Sequence, residues 1–155
     1  MPNIELTTQV MIQNPATGEV LVQDRLLSWK GLAFPGGHVD RGESIYGCAV
    51  REIREETGLT IANLQSCGMI HWHNIETGDR YFVFLYKTSD YAGELIPEME
   101  EGRHFWMTPE ALAERVQYNT ENSFAKYMPM FFGGHGYSEG YGGWSRPEDK
   151  EMVYF

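Results

Sequence analysis

Residues 37–59 read GHVDRGESIYGCAVREIREETGL, and this stretch decides the fold around it. Ser44 can accept a hydrogen bond from the first turn of a helix, and Gly58 suits the left-handed position that ends one. Together these signals predict a helix from about Ile45 to Thr57.

Three carboxylates share one face of that helix. Glu52, Glu55 and Glu56 are neighbours because residues three and four positions apart meet on a helix surface. The same face continues a stripe one and two turns earlier, formed by Ile45, Cys48 and Ala49. Carboxylates that face inward repel one another unless hard cations neutralise them. A solvated acidic face is the alternative, but the inward stripe favours a metal site.

The spacing of the motif is specific. Gly37 is followed after five residues by Glu43, and seven residues later by the run Arg51-Glu52-Ile53-Arg54-Glu55-Glu56-Thr57-Gly58-Leu59. Every defined position of the Nudix box is filled, so the chain resembles the Nudix hydrolases. These enzymes cleave a diphosphate linked to another moiety and use a divalent metal.

The resemblance implies roles for individual residues. Glu52, Glu55 and Glu56 would hold Mg²⁺, with Mn²⁺ as a substitute, together with the backbone carbonyl of Gly36. Glu43 would pair with Arg51 and brace the loop against the helix, a structural role that a guanidinium suits better than an ammonium.

Residues outside the box are weaker candidates. Glu101, or else Glu100, would reach back to the metal or to the attacking water; the alternative is an acidic loop in solvent. His71 and His73 share one face of a predicted strand, where a structural role is favoured over contact with substrate.

Several aromatic and polar residues are candidates for base binding. Flat rings can stack on any base, although each ring is individually more typical of packing. The Tyr118-Asn119 pair lies where similar enzymes contact the base. The substrate-binding candidates beyond His71 are therefore Trp29, Phe34, Trp106, Tyr118 and Asn119.

Composition limits the class of protein. The chain has 155 residues, a hydrophobic content of 42% and a net charge of −10. This length suits one domain over 1–155. No apolar run or leader segment is evident, so we expect a cytoplasmic protein without membrane contact. The negative charge disfavours long nucleic acid, whereas a small nucleotide can arrive as its Mg²⁺ complex. A homodimer is compatible with these features.

Strand patterns flank the box. Segments 4–13 and 19–25 surround the turn 14–18 and predict a hairpin or neighbouring strands. Segments 67–75 and 80–88 predict two more strands, and residues 81–86 are apolar at every position, which predicts a central strand covered on both faces.

The remaining chain completes a layered fold. Thr108-Pro109-Glu110 begins a short helix, a further helix is expected over 122–132, and the glycine-rich 133–155 is expected to form an irregular tail. Together, the predicted strands and helices indicate an α/β fold, namely an α/β/α sandwich with a mixed sheet between helices.

The function expected is a hydrolase of a nucleoside triphosphate. By elimination of other Nudix signatures, the preferred substrate is an oxidised purine nucleotide such as 8-oxo-dGTP, as in MutT-like enzymes. The alternatives are a hydrolase of another nucleoside diphosphate-X substrate, such as a nucleotide sugar, and a non-catalytic nucleotide-sensing module.

Overall fold

The computed structural model describes residues 1–27, 30–117, 123–146 and 151–155. The helices are α1 (Ile45–Thr57), α2 (Pro109–Gln117) and α3 (Met128–Phe132), and a 3-10 helix at Phe124–Tyr127 precedes α3. The strands are β1 (Ile4–Ile12), β2 (Val20–Arg25), β3 (Gly31–Ala33), β4 (Thr60–Ala62), β5 (Gln65–His73), β6 (Arg80–Thr88), β7 (Asp90–Ala92), β8 (Glu98–Met99), β9 (Gly102–Met107), β10 (Glu139–Gly143) and β11 (Val153–Tyr154).

Helix α1 confirms the prediction from its end signals. The Ser44 side chain accepts a hydrogen bond from the Gly47 backbone N–H at 2.9 Å. Gly58 adopts a φ of 80°, and its N–H donates to the Arg54 carbonyl. Both ends of the helix are therefore satisfied by the residues that the sequence supplies for that purpose.

The strands form two principal sheets. Sheet A has the order β1-β6-β5-β10-β11, and sheet B has the order β3-β2-β9-β8. In sheet A, β1 runs parallel to β6, while β5 and β6 are antiparallel. The predicted mixed α/β fold is confirmed.

Two clusters of buried side chains hold the layers together. One cluster lies between the sheets and the C-terminal helices and includes Phe34, Ile70, Val83, Leu85, Leu112 and Phe131. The other lies beneath α1 and includes Val10, Ile12, Leu21, Ala49, Ile53 and Leu59. The apolar side chains of α1 therefore fix its position over β1 and β2.

Two predictions of local structure are wrong. Of the two alternatives for segments 4–13 and 19–25, the hairpin is wrong, because β1 and β2 lie in different sheets; the two strands are neighbours only at their ends, through one isolated bridge between Gln13 and Val20. The region 133–155 is not wholly irregular, since β10 and β11 extend sheet A. Glycines at 140 and 142 obscure the strand pattern there, and a Cβ at Gly140 would lie 2.8 Å from Ile70 Cδ1, so a larger residue would require that side chain to shift.

Strand β6 has the predicted central position, but only one of its faces is buried at the middle of the strand. Strand β6 lies inside sheet A, as predicted, and Val83 and Leu85 on one face are buried. On the other face Phe82 and Phe84 are only half-buried, so the prediction that both faces are covered is wrong for this part of the strand.

Replacement of Gly58 by alanine should destabilise the protein more than the same change at Gly42. Both glycines have a positive φ, which costs an L-residue about 1–2 kcal/mol. A Cβ at Gly58 would also lie 2.8 Å from the Glu94 carbonyl oxygen, whereas a Cβ at Gly42 meets nothing within 4 Å. Urea unfolding should therefore show that Gly58→Ala loses about 1–3 kcal/mol more than Gly42→Ala. Equal losses would contradict the packing argument.

Candidate active site

The glycine loop is fixed between β1 and α1. The backbone N–H groups of Thr8 and Val10 donate to the carbonyls of Gly37 and Pro35, each at 2.9 Å. A Cβ at Gly36 would lie 1.9 Å from the Thr8 carbonyl oxygen. Only glycine therefore allows the loop to approach the strand this closely.

The same loop contacts the carboxylates of α1. The Gly36 N–H donates to Glu56 Oε2 at 3.3 Å. A Cβ at Gly37 would lie 2.3 Å from Glu52 Cδ. The two glycines thus leave the space that the Glu52 and Glu56 carboxylates occupy.

Arg51 joins the loop to the helix. Its Nε and Nη2 groups donate to the two carboxylate oxygens of Glu43 at 2.6 and 2.9 Å, so the predicted Glu43–Arg51 pair is present and bidentate. This contact lowers the pKa of Glu43 to about 2. Nη2 also donates to the His38 carbonyl oxygen at 3.1 Å.

The remaining nitrogen of Arg51 contacts two of the box glutamates. Nη1 donates to Glu52 Oε1 at 2.9 Å and to Glu55 Oε2 at 3.0 Å. One guanidinium therefore offsets the charge of Glu43, Glu52 and Glu55 together. The contact with Glu55 follows from the i, i+4 spacing on the helix.

Glu56 has a different environment. Burial is the largest cause that raises its pKa, to about 7, and repulsion from Glu52 and Glu101 adds to the effect. The Gly36 N–H and the charge of Arg25 act in the opposite direction. Burial also raises the pKa of Glu52, against the influence of Arg51. A buried carboxylate at this position is costly unless a cation balances it.

These residues fit a divalent metal. Mg²⁺ prefers oxygen ligands, and Glu52, Glu55, Glu56 and the Gly36 carbonyl offer only oxygen. The close approach of the Glu52 carboxylate to Gly37 and the raised pKa of the buried Glu56 support this choice. Across 1–27, 30–117, 123–146 and 151–155, no three His, Cys, Asp or Glu side chains already form a ligand set. Glu52 and Glu55 would therefore have to turn from Arg51 to share an ion with Glu56.

Of the two acidic loop candidates, Glu101 is one of the charges that raise the pKa of Glu56. The Glu101 carbonyl accepts from the Leu26 N–H at 3.0 Å and so ties this turn to the end of β2.

Other candidates lie in the packed interior. Phe34 is 1% exposed and makes edge-to-face contacts with Phe124 and Phe131 at 5.0 and 4.8 Å, so it packs in the core instead of stacking on a base. Trp106 packs against Tyr91 with ring centroids 5.5 Å apart. The sequence could not show whether these rings pack in the core or stack on a base, because apolar aromatic rings are suited to both.

The ring of His71 forms hydrogen bonds to the two strands that flank β5. Its Nε2 accepts from Arg80 Nη1 at 2.8 Å, so Nδ1 carries the proton and donates to Glu139 Oε2 at 3.0 Å. His71 is 8% exposed, and both nitrogens are occupied, which corrects its assignment as a substrate contact. Trp29, Tyr118 and Asn119 lie outside the described residues.

The sequence analysis missed Arg25. This residue ends β2 and opposes Gly102 of β9, and its charge acts on Glu56. A single arginine at the end of a strand forms no recognisable sequence motif. Arg25 comes near the site only because sheet B packs against α1.

Comparison with known proteins establishes the family. The family model of the NUDIX domain matches residues 5–130, so the chain belongs to the Nudix family. Enzymes of this family are hydrolases that act on phosphoric anhydride bonds. An uncharacterised Nudix hydrolase of Bacillus subtilis (strain 168), YvcI, is 37% identical over 110 residues, which cover 68% of this chain and 67% of that protein.

Two further comparisons bear on substrate and fold. An oxidised purine nucleoside triphosphate hydrolase of Danio rerio is 36% identical over 78 residues, which cover 50% of this chain and only 47% of that protein. The crystal structure of a MutT mutator protein from Bacillus halodurans superposes with a TM-score of 0.69 at 21% identity, over 97% of this chain and 96% of that one. The superposition shows the shared fold.

Replacement of Gly37 by alanine should weaken Mg²⁺ binding without unfolding the protein. The new Cβ would displace the Glu52 carboxylate, which is the flexible end of its side chain. Isothermal titration with Mg²⁺ should show at least about tenfold weaker binding, as is typical when a group that orients a ligand is lost. Gly42→Ala, in the same loop, is the control, and equal affinities in both variants would exclude this role for Gly37.

The metal-free protein should lose stability as the pH rises from 4.5 to 7. In this window the folded protein keeps a proton on Glu56 that the unfolded chain, with an ordinary pKa of 4.5, has released. The free energy of unfolding should therefore fall by up to about 3 kcal/mol. Glu43 acts in the opposite direction and below this window, because its pKa is lowered to about 2.

Urea unfolding at a series of pH values in the presence of EDTA measures this dependence. Glu56→Gln removes the titrating group and should flatten the curve between pH 4.5 and 7. Parallel curves for the wild type and the variant would show that Glu56 is not the buried acid.

Proposed function

We propose that this protein is a Mg²⁺-dependent nucleoside-triphosphate pyrophosphohydrolase that releases a nucleoside monophosphate and pyrophosphate. The observation that carries the proposal is the buried Glu56 carboxylate held against the Gly36 loop, beside Glu52, Arg25 and Glu101. A site that concentrates negative charge in this way gains most from a cation that arrives with a polyphosphate.

The chain's own residues would bind the metal and handle the proton. Glu52, Glu55, Glu56 and the Gly36 carbonyl would hold Mg²⁺, or Mn²⁺ in its place. The bound metal supplies positive charge to the phosphoryl oxygens and lowers the pKa of water. Water attacks an internal phosphorus, the bond from that phosphorus to its bridging oxygen breaks, and Glu101 or Glu55 takes the proton from the water.

An oxidised purine nucleoside triphosphate such as 8-oxo-dGTP is the preferred substrate. Two similar proteins support this choice: the Danio rerio hydrolase, and an 8-oxo-(d)GTP phosphatase of Mycolicibacterium smegmatis that is 30% identical over 107 residues. The match covers only 32% of the latter protein. A net charge of −10 further favours a small nucleotide over long nucleic acid.

A cytoplasmic location and a homodimeric state belong to the same proposal. None of the described helices is long and apolar enough to cross a membrane.

A product-resolved screen of nucleotides tests the reaction. Purified protein is incubated with ordinary and oxidised nucleoside triphosphates, nucleotide sugars and dinucleotides, each with Mg²⁺, Mn²⁺ or EDTA. We expect nucleoside monophosphate and pyrophosphate from an oxidised purine nucleotide, with at least about 100-fold lower turnover for Glu56→Gln because the charged ligand is lost. Glu101→Gln should lower the turnover by about 100-fold or more if it is the base, and Glu100→Gln should not.

Glu98→Gln, in the neighbouring strand β8 and 67% exposed, is the control and should retain activity. Release of a sugar phosphate would assign the enzyme to another nucleoside diphosphate-X substrate. Tight nucleotide binding without product under every metal condition would indicate a sensing module and would reject the proposed catalysis.

A further inference from the structure

Within the described residues, the outer face of sheet A is exposed at both edges and only half-buried between them. The paired registers align Leu6 of β1 with Phe82 of β6, Phe82 with His71 of β5, and His71 with Tyr141 of β10. Paired residues point to the same side of a sheet, so these four side chains form one row across it. Helix α1 covers the neighbouring part of this face, where Cys48 meets Thr8 and Tyr46 meets Tyr86.

The uncovered part is predominantly apolar. Ile4 and Leu6 at one edge are 60% and 38% exposed, and Val153 and Phe155 at the other edge are 52% and 63% exposed. Between them lie half-buried side chains, namely Phe82, Phe84, Met69, His73 and Tyr141. We call this set, together with His71, the outer apolar face.

The area of the outer apolar face suits a specific interface. A fully exposed large side chain offers about 150–250 Å². The four side chains at the edges then expose roughly 400 Å², and the half-buried side chains between them add roughly 200 Å², which brings one copy to the upper end of the largest patch on a typical monomer. Two copies packed face to face would bury roughly 1,200 Å² in total, which reaches the size of stable interfaces.

The charge of the outer apolar face favours a second copy over other partners. The charged groups on it are Arg80 and Glu139, and both are paired through His71 at 2.8 and 3.0 Å. The face is therefore neutral in a chain of net charge −10. A basic partner would be attracted elsewhere, and an anionic membrane would require available Lys or Arg side chains. Two copies that repel through their other surfaces can still meet through this one.

We infer that two copies of this chain associate through the outer apolar face, which packs on itself about a two-fold axis. The two sheets would lie about 10 Å apart with their side chains interdigitated, as in sheet-on-sheet packing. This inference is independent of the proposed reaction.

Sedimentation equilibrium over a range of protein concentrations tests the inference. The wild type should approach twice the 17.8 kDa mass of one chain. Ile4→Glu and Val153→Glu, one at each edge of the face, should each weaken association at least about tenfold, because an unpaired charge would be buried in an apolar interface. Leu27→Glu is the matched control, since Leu27 is 60% exposed, as is Ile4, and lies beyond sheet B; it should leave the dimer intact.

Circular dichroism and Mg²⁺-dependent hydrolysis establish that each variant is folded. A wild-type mass of 17.8 kDa at every concentration would overturn the inference. A dimer that survives in both edge variants would place the interface on another surface and would equally overturn it. Co-sedimentation of a monomer with phosphatidylglycerol vesicles, lost in the same two variants, would assign the face to a membrane instead.

Discussion

The bidentate ion pair between Arg51 and Glu43 is the constraint on which the candidate site depends. It connects the loop after the two glycines to the middle of α1, and the same guanidinium contacts Glu52 and Glu55. A lysine could not replace it, since an ammonium lacks the planar array of donors that reaches all three carboxylates. The distances between loop and helix therefore depend on one side chain, whose single positive charge offsets only part of the charge of the three acids.

Among the described residues, Glu56 is the box glutamate that Arg51 does not contact. It is the more buried end of the row, and its neighbours Glu52 and Glu101 repel it. A group of this kind lowers the stability of the metal-free fold, which is expected at sites where function and stability conflict. Its position is nevertheless well defined, because the Gly36 N–H donates to its carboxylate and the N–H groups of Thr8 and Val10 hold the glycine loop against β1. Binding of a divalent cation would remove the electrostatic penalty and favour the folded state in the same step.

The parts of the fold that follow from local chemistry could be predicted from sequence. Helix α1 begins after Ser44 and ends before Gly58 as its cap residues indicate, and the i, i+3, i+4 spacing places the three glutamates on one side. The pairing of β1 with β6 could not be predicted in this way. Its parallel register connects residues 76 positions apart, and the short turn 14–18 wrongly favours a hairpin. The same limit applies to Arg25 and Phe34, since only the packing of one layer on another decides whether a residue faces the site or the core.

The partly incorrect prediction for β6 has a physical explanation that bears on assembly. Residues 81–86 are apolar at every position, a pattern typical of a strand covered on both faces. Within one copy, Val83 and Leu85 are covered, whereas Phe82 and Phe84 on the opposite face remain half-buried. A strand that needed only one buried face would alternate apolar with polar residues, as antiparallel sheets facing water do. The described part of the chain does not fully cover Phe82 and Phe84, and a second copy of the outer apolar face would complete the covering layer that the sequence pattern predicts.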